Sequence, residues 1–119
     1  RDRNFGRIVN VSWINGEKVQ LGQANSAAAK AGMLGFTTAL ALEGAPKGIT
    51  VNAIAPGYVE TDMVAAVPPE TLAKIQAAIP IGRLGQPAEI AMIVRFLVSD
   101  AAAFITGATV TANGGQYMT

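Results

Sequence analysis

The chain has 119 residues, 50% of them hydrophobic and 14% charged, with 13 Gly and 6 Pro, the size and composition of one small globular domain rather than a disordered segment. Nine Lys and Arg against eight Asp and Glu leave a formal charge of +1. No run of like charge could track a phosphate backbone, so nucleic acid is not an expected partner. The absence of Cys and His excludes disulfide frameworks, thiol nucleophiles, the usual zinc sites and imidazole bases, leaving Ser, Thr, Tyr, Lys and carboxylates for any catalysis.

In chain order, Arg1-Asp2-Arg3-Asn4-Phe5 has no apolar core of a signal peptide, and a cytoplasmic protein is expected. The run Ile8 to Val11, after Gly6-Arg7, is short and β-branched and predicts a buried strand. Asn15-Gly16 marks a turn. The segment Ala24 to Gly44, rich in Ala and Leu and free of Pro, predicts the longest helix, ended by Gly44, Pro46 and Gly48. Ile49 to Ala55 predicts a second buried strand, closed by Pro56-Gly57, and Tyr58 to Val67 reads as a loop.

Pro68-Pro69-Glu70 opens a short amphipathic helix through Leu72, Ile75 and Ile79, closed by Pro80. Pro87 and Glu89 start a third helix with Ile90, Ile93, Val94 and Leu97 on one face. Even its best apolar window, Pro87 to Val98, is interrupted by Glu89 and Arg95 and falls short of the roughly 18 to 20 residues of a membrane span. Ala108 to Ala112 predicts a third strand before Asn113-Gly114-Gly115. Strands alternating with helices predict an α/β fold, a partial parallel sheet of about three strands with flanking helices, over a single domain 1–119. The long helix is apolar on more than one face and small at Ala27, Ala28, Ala29, Ala31, Gly32 and Gly35. Its second face is read either as the contact of a homodimer or higher oligomer or as ordinary core packing.

Five stretches in register, GRIVNVSWING, GQANSAAAKAG, GITVNAIAPGYVETDM, IGRLGQPAEIA and FITGATVTANGG, resemble the C-terminal half of the short-chain dehydrogenase/reductase family, in particular its 3-oxoacyl thioester reductases. The resemblance implies a Rossmann-like domain and reduction of a carbonyl with NADPH or NADH. It also implies a Tyr proton donor, a Lys four residues later that lowers the Tyr pKa and holds the ribose, and a Ser that binds the substrate oxygen. Lys30 matches the Lys. The Tyr position is Ser26, and the family Ser falls on Trp13, beside Ser12.

A Tyr hydroxyl, with a pKa near 10, can be pulled toward neutrality by an ammonium, whereas an aliphatic hydroxyl is far too weak an acid. Trp13 removes a short donor from the developing oxyanion, which Ser12 would replace only if the loop shifts. Reductase activity is therefore expected to be weak or lost. Lys30, Asn52, Pro56, Gly57, Tyr58, Val59 and Thr61 match the segment that lines the cofactor in the family, so half of an NADPH groove is expected. The Gly-rich phosphate loop of the family is not in the sequence, and NADPH is expected not to be retained. The family strand that would neighbour Ile8 to Val11 is not in the sequence either, so an open sheet edge is expected.

A second reading rests on the residues alone. Ser26 and Lys30, four apart on a predicted helix, share one face. A deprotonated Lys30 could activate Ser26 to form an acyl-enzyme from an ester or thioester. A third reading is a non-catalytic assembly subunit with Trp13 and the Ala-rich helix as its contact surface. Glu60 and Asp62 read as solvated loop charges, and Arg83 matches a family position with no defined chemical task.

Overall fold

The structure is a computed structural model describing residues 5–11, 19–61 and 66–115, with backbone alone for 19–30. Strand β1 spans Gly6–Val11, helix α1 Val19–Gly44, strand β2 Ile49–Pro56, helix α2 Pro69–Ala77, helix α3 Pro87–Leu97 and strand β3 Thr109–Ala112. The three strands form one parallel sheet in the order β1-β2-β3. The fold is α/β, as the alternation of strand and helix patterns requires. The Asn15-Gly16 turn lies outside the described residues.

The β-branched run that makes β2 is buried from Thr50 to Pro56 without interruption, as a strand covered on both faces should be. Register pairs Ile8 with Val51 and Asn10 with Ala53, and paired residues of parallel strands point to the same face. Helix α1 covers that face, because its Thr37 bonds Asn10 and its Ala41 is buried. Helix α3, whose Leu97 is buried, contacts β1 and β2. The edge strands are more open, with Ile8 and Val11 exposed on β1. Among the described residues the outer side of β1 has no strand partner.

The elements differ from the sequence pattern mainly at their ends. Helix α1 begins at Val19 rather than Ala24, because Gln20, Leu21 and Gln23 sustain a helix that a single Gly22 does not stop. Helix α2 ends at Ala77. Ile79 lies past its end and is buried with Leu84 in a small cluster that includes Tyr58, Leu72 and Ile75. Outward on α1, Leu34, Phe36 and Leu42 are exposed. Among the described residues no helix is long and apolar enough to cross a membrane.

Candidate functional site

Ligands of parallel α/β sheets collect at the carboxyl ends of the strands, which here means Val11, the Pro56–Thr61 segment and the Ala112–Gly114 turn. The segment after β2 is braced on both sides. The Gly57 N–H donates to the Ala112 carbonyl at 3.0 Å, holding it to β3. The Gly85 N–H donates to the Tyr58 carbonyl at 2.9 Å and the Glu60 N–H to the Gly85 carbonyl at 2.8 Å, making a one-residue parallel bridge between Val59 and Gly85.

Side chains repeat that bracing. The Gln86 amide donates to the Glu60 carboxylate at 2.8 Å. Glu89 accepts from the Gln86 backbone N–H at 2.9 Å, completing a capping box at the start of α3. Arg83 meets Glu89 through two parallel hydrogen bonds of 2.6 and 2.9 Å. Its guanidinium pulls the Glu89 carboxyl down to about 2, helped by the Gln86 N–H, and Glu89 in turn raises Arg83. Arg83, given no task by the sequence, is thus part of the brace, and Glu60 pairs with an amide. Asp62 lies outside the described residues. The pattern Gln86-Pro87-Ala88-Glu89, a capping box with Pro at the first helical position, was the available signal.

Beside this brace a cavity of about 410 Å³ opens between α3 and the end of β3, lined by Tyr58, Ile81, Ile90, Ile93 and Ala112 with Arg83 and Glu89 among its polar groups. Of the residues expected along a cofactor groove, Tyr58 lines this cavity, and Gly57 and Thr61 are half-buried beside it in sequence. Asn52, Pro56 and Val59 are fully buried. Asn52 is a staple: its Nδ2 donates to the Ile105 carbonyl and its Oδ1 accepts from the Ala108 N–H, at 3.1 and 3.0 Å. Its side chain faces protein on both counts. The described residues contain no Gly-rich turn leading from a strand into a helix, and two N–H groups of the Pro56–Thr61 segment are engaged within the chain. They do not by themselves make a cradle for a dinucleotide pyrophosphate.

Ser12 and Trp13 lie outside the described residues, as do the side chains of Ser26 and Lys30. The backbone places positions 26 and 30 on α1. At 3.6 residues per turn their four-residue spacing puts the two positions about one turn apart along the helix.

A family model described as enoyl-(acyl carrier protein) reductase matches residues 1–117. The chain belongs to this family, one of the short-chain dehydrogenases/reductases. It is 67% identical over 118 residues to the acetoacetyl-CoA reductase of Shinella zoogloeoides and 65% identical to that of Rhizobium meliloti. To the 3-oxoacyl-[acyl-carrier-protein] reductase FabG of Pseudomonas aeruginosa it is 53% identical over 114 residues. The first two alignments cover 98% of this chain and 49% of each relative, the third 96% and 46%. The chain thus spans about half the length of the curated relatives it matches.

Proposed function

We propose that this chain carries half of the site of an NADPH-dependent 3-oxoacyl thioester reductase, of the acetoacetyl-CoA reductase kind, and is by itself weak or inactive as a reductase. Its similarity to reductases of that name supports the substrate class. The observation that carries the loss of activity is Ser26, an aliphatic hydroxyl four residues before Lys30, where the chemistry needs an acid that an ammonium can bring near neutrality. The same chain would hold the nicotinamide side of a cofactor along Pro56–Thr61 and leave the pyrophosphate without a cradle.

The test is acetoacetyl-CoA reduction followed by NADPH absorbance, with calorimetric titration of NADPH, on the chain and on Ser26→Tyr. Negligible turnover and no NADPH binding by the chain are expected, with turnover returning only when Ser26→Tyr is combined with the other half of the site. Micromolar NADPH binding and brisk reduction by the unaltered chain would overturn the reading. A chromogenic short-chain ester, run on the chain and on Ser26→Ala, checks the alternative chemistry: ester turnover that vanishes in Ser26→Ala would assign a Ser26/Lys30 hydrolase instead.

A further inference from the structure

The cavity between α3 and the end of β3 has a chemistry that selects its occupant. Ile90 and Ile93 on α3 and Ala112 on β3 wall it with apolar groups. Ile81 and Met92 line it as well, yet they are 66% and 68% exposed, apolar surface that an occupant would cover. Arg83 and Glu89 are its charged lining residues, and two parallel hydrogen bonds commit each to the other. The lining therefore carries no net charge to hold a phosphate or a carboxylate. Size narrows the choice further. At roughly 30 Å³ per group the size of a water, and the packing density of about 0.75 found in protein interiors, a cavity of about 410 Å³ holds a chain of about ten carbons. A four-carbon acetoacetyl group would leave more than half of that space empty. Tyr58, finally, belongs both to this lining and to the segment that follows β2, at the sheet end where ligands of parallel α/β folds collect.

We infer that this cavity binds the apolar tail of an acyl thioester, and that the chain takes acyl groups of up to about ten carbons rather than the four-carbon group alone. That the ligand is an acyl thioester rests on the reductase reading above; that its tail is uncharged and apolar rests on the cavity. Burying one more methylene against Ile90 and Ile93 tightens binding by up to about fourfold, and the gain stops where the cavity is full. A surface that merely adsorbs apolar chains has no such limit.

The test titrates saturated acyl-CoA esters of increasing length, from butyryl-CoA to dodecanoyl-CoA, into the chain carrying carbon-13 at its isoleucine methyls. These esters have no 3-oxo group to reduce, so binding is read alone. The methyls of Ile90 and Ile93 are expected to shift, while those of Ile8, exposed on β1, and Ile54, buried in β2, stay in place. Affinity is expected to rise with each added methylene and to level off near ten carbons. In Ile93→Trp, whose ring takes up the cavity, decanoyl-CoA should bind no better than butyryl-CoA. No shift at Ile90 and Ile93, an affinity independent of chain length, or a shift at Ile8 equal to that at Ile93 would overturn the inference. If Ile93→Trp fails to fold, the length series and the methyl shifts of the unaltered chain decide by themselves. Neither readout needs NADPH or turnover. A chain that binds decanoyl-CoA at Ile90 and Ile93 but reduces nothing once Ser26→Tyr is joined to the other half of the site loses the reductase reading and keeps the cavity, and the reverse result loses the cavity alone.

Discussion

Arg83 and Glu89 face each other in a parallel two-bond clamp at the start of α3, and the same carboxylate caps the helix through the Gln86 N–H. Both side chains are about half exposed, so solvent screens the pair and its contribution to stability is small. Its pH dependence is nonetheless definite in sign. The Glu89 carboxyl is lowered from 4.5 to about 2 in the folded chain, so the unfolded chain binds the proton more readily. The stabilisation is fully present above the unfolded value and is lost as pH falls from there through about 2. Thermal melts of the chain and of Glu89→Gln, which keeps an acceptor for the cap, should differ at neutral pH. They should draw together as pH falls from about 4.5, converge only below about 2, and lie closer together in high salt. A difference that persists at low pH would locate the effect in packing instead of charge.

Asn52 shows how a polar residue becomes part of a core. Wholly buried in the central strand, it ties β2 to the turn before β3 by one donated and one accepted bond. Asn52→Ala leaves the Ile105 carbonyl and the Ala108 N–H without those partners inside the protein. The expected cost is about 2–6 kcal/mol, since each of the two buried groups left unsatisfied costs about 1–3 kcal/mol. Urea unfolding would measure it, with the midpoint lowered and the slope unchanged. A loss well under 1 kcal/mol would mean that water reaches the two orphaned groups.

Thr50 presents the opposite case. Its hydroxyl is buried on β2 with no hydrogen-bond partner, and Arg7, its register partner on β1, has a buried Nε in the same condition. Valine has nearly the same shape and removes the unsatisfied group. Thr50→Val is therefore expected to stabilise the chain by about 1 kcal/mol, the lower end of the cost of a buried unpaired polar group. Destabilisation in the same unfolding assay would show that the hydroxyl has a partner in solution.

The sequence made the alternation of elements legible because each strand is a short β-branched run and each helix has a recognisable stop. Pro56-Gly57 and the Gly44 to Gly48 segment punctuate the chain by backbone chemistry alone. The braces at the site were less legible. Arg83 finds Glu89 six residues on, around a helix start, and Glu60 finds Gln86 across 26 residues; neither spacing is helical or strand-like. Asn10 and Thr37 are 27 residues apart, and only the packing of α1 on β1 brings them together. The resemblance places Asn52 along a cofactor groove, and the strand pattern places it in a buried strand; that its two polar atoms bond the Ile105 carbonyl and the Ala108 N–H depends on contacts more than 50 residues away, which no local pattern carries.

Three glycines separate backbone strain from crowding. Gly32 lies in α1 with open space around an added Cβ, so Gly32→Ala removes only the entropic penalty of glycine in a helix and should stabilise by about 0.5–1 kcal/mol. Gly82 also has open space but sits at φ +91°, where a side chain is strained whatever the room. Gly82→Ala should cost about 1–2 kcal/mol from backbone strain alone. Gly114 combines φ +66° with a Cβ position 2.7 Å from Ile79 Cγ2, and Ile79 belongs to the small buried cluster near the cavity. Ile79 is branched at Cβ and cannot swing the methyl away freely. Gly114→Ala should therefore cost more than Gly82→Ala, by about the 1–3 kcal/mol of an overpacked core. Chemical denaturation of the three variants tests the order Gly32→Ala above the parent, then Gly82→Ala, then Gly114→Ala. If Gly114→Ala falls level with Gly82→Ala, the turn after β3 moves away from Ile79 at little cost, and the cavity wall that Gly114 helps to form is correspondingly soft.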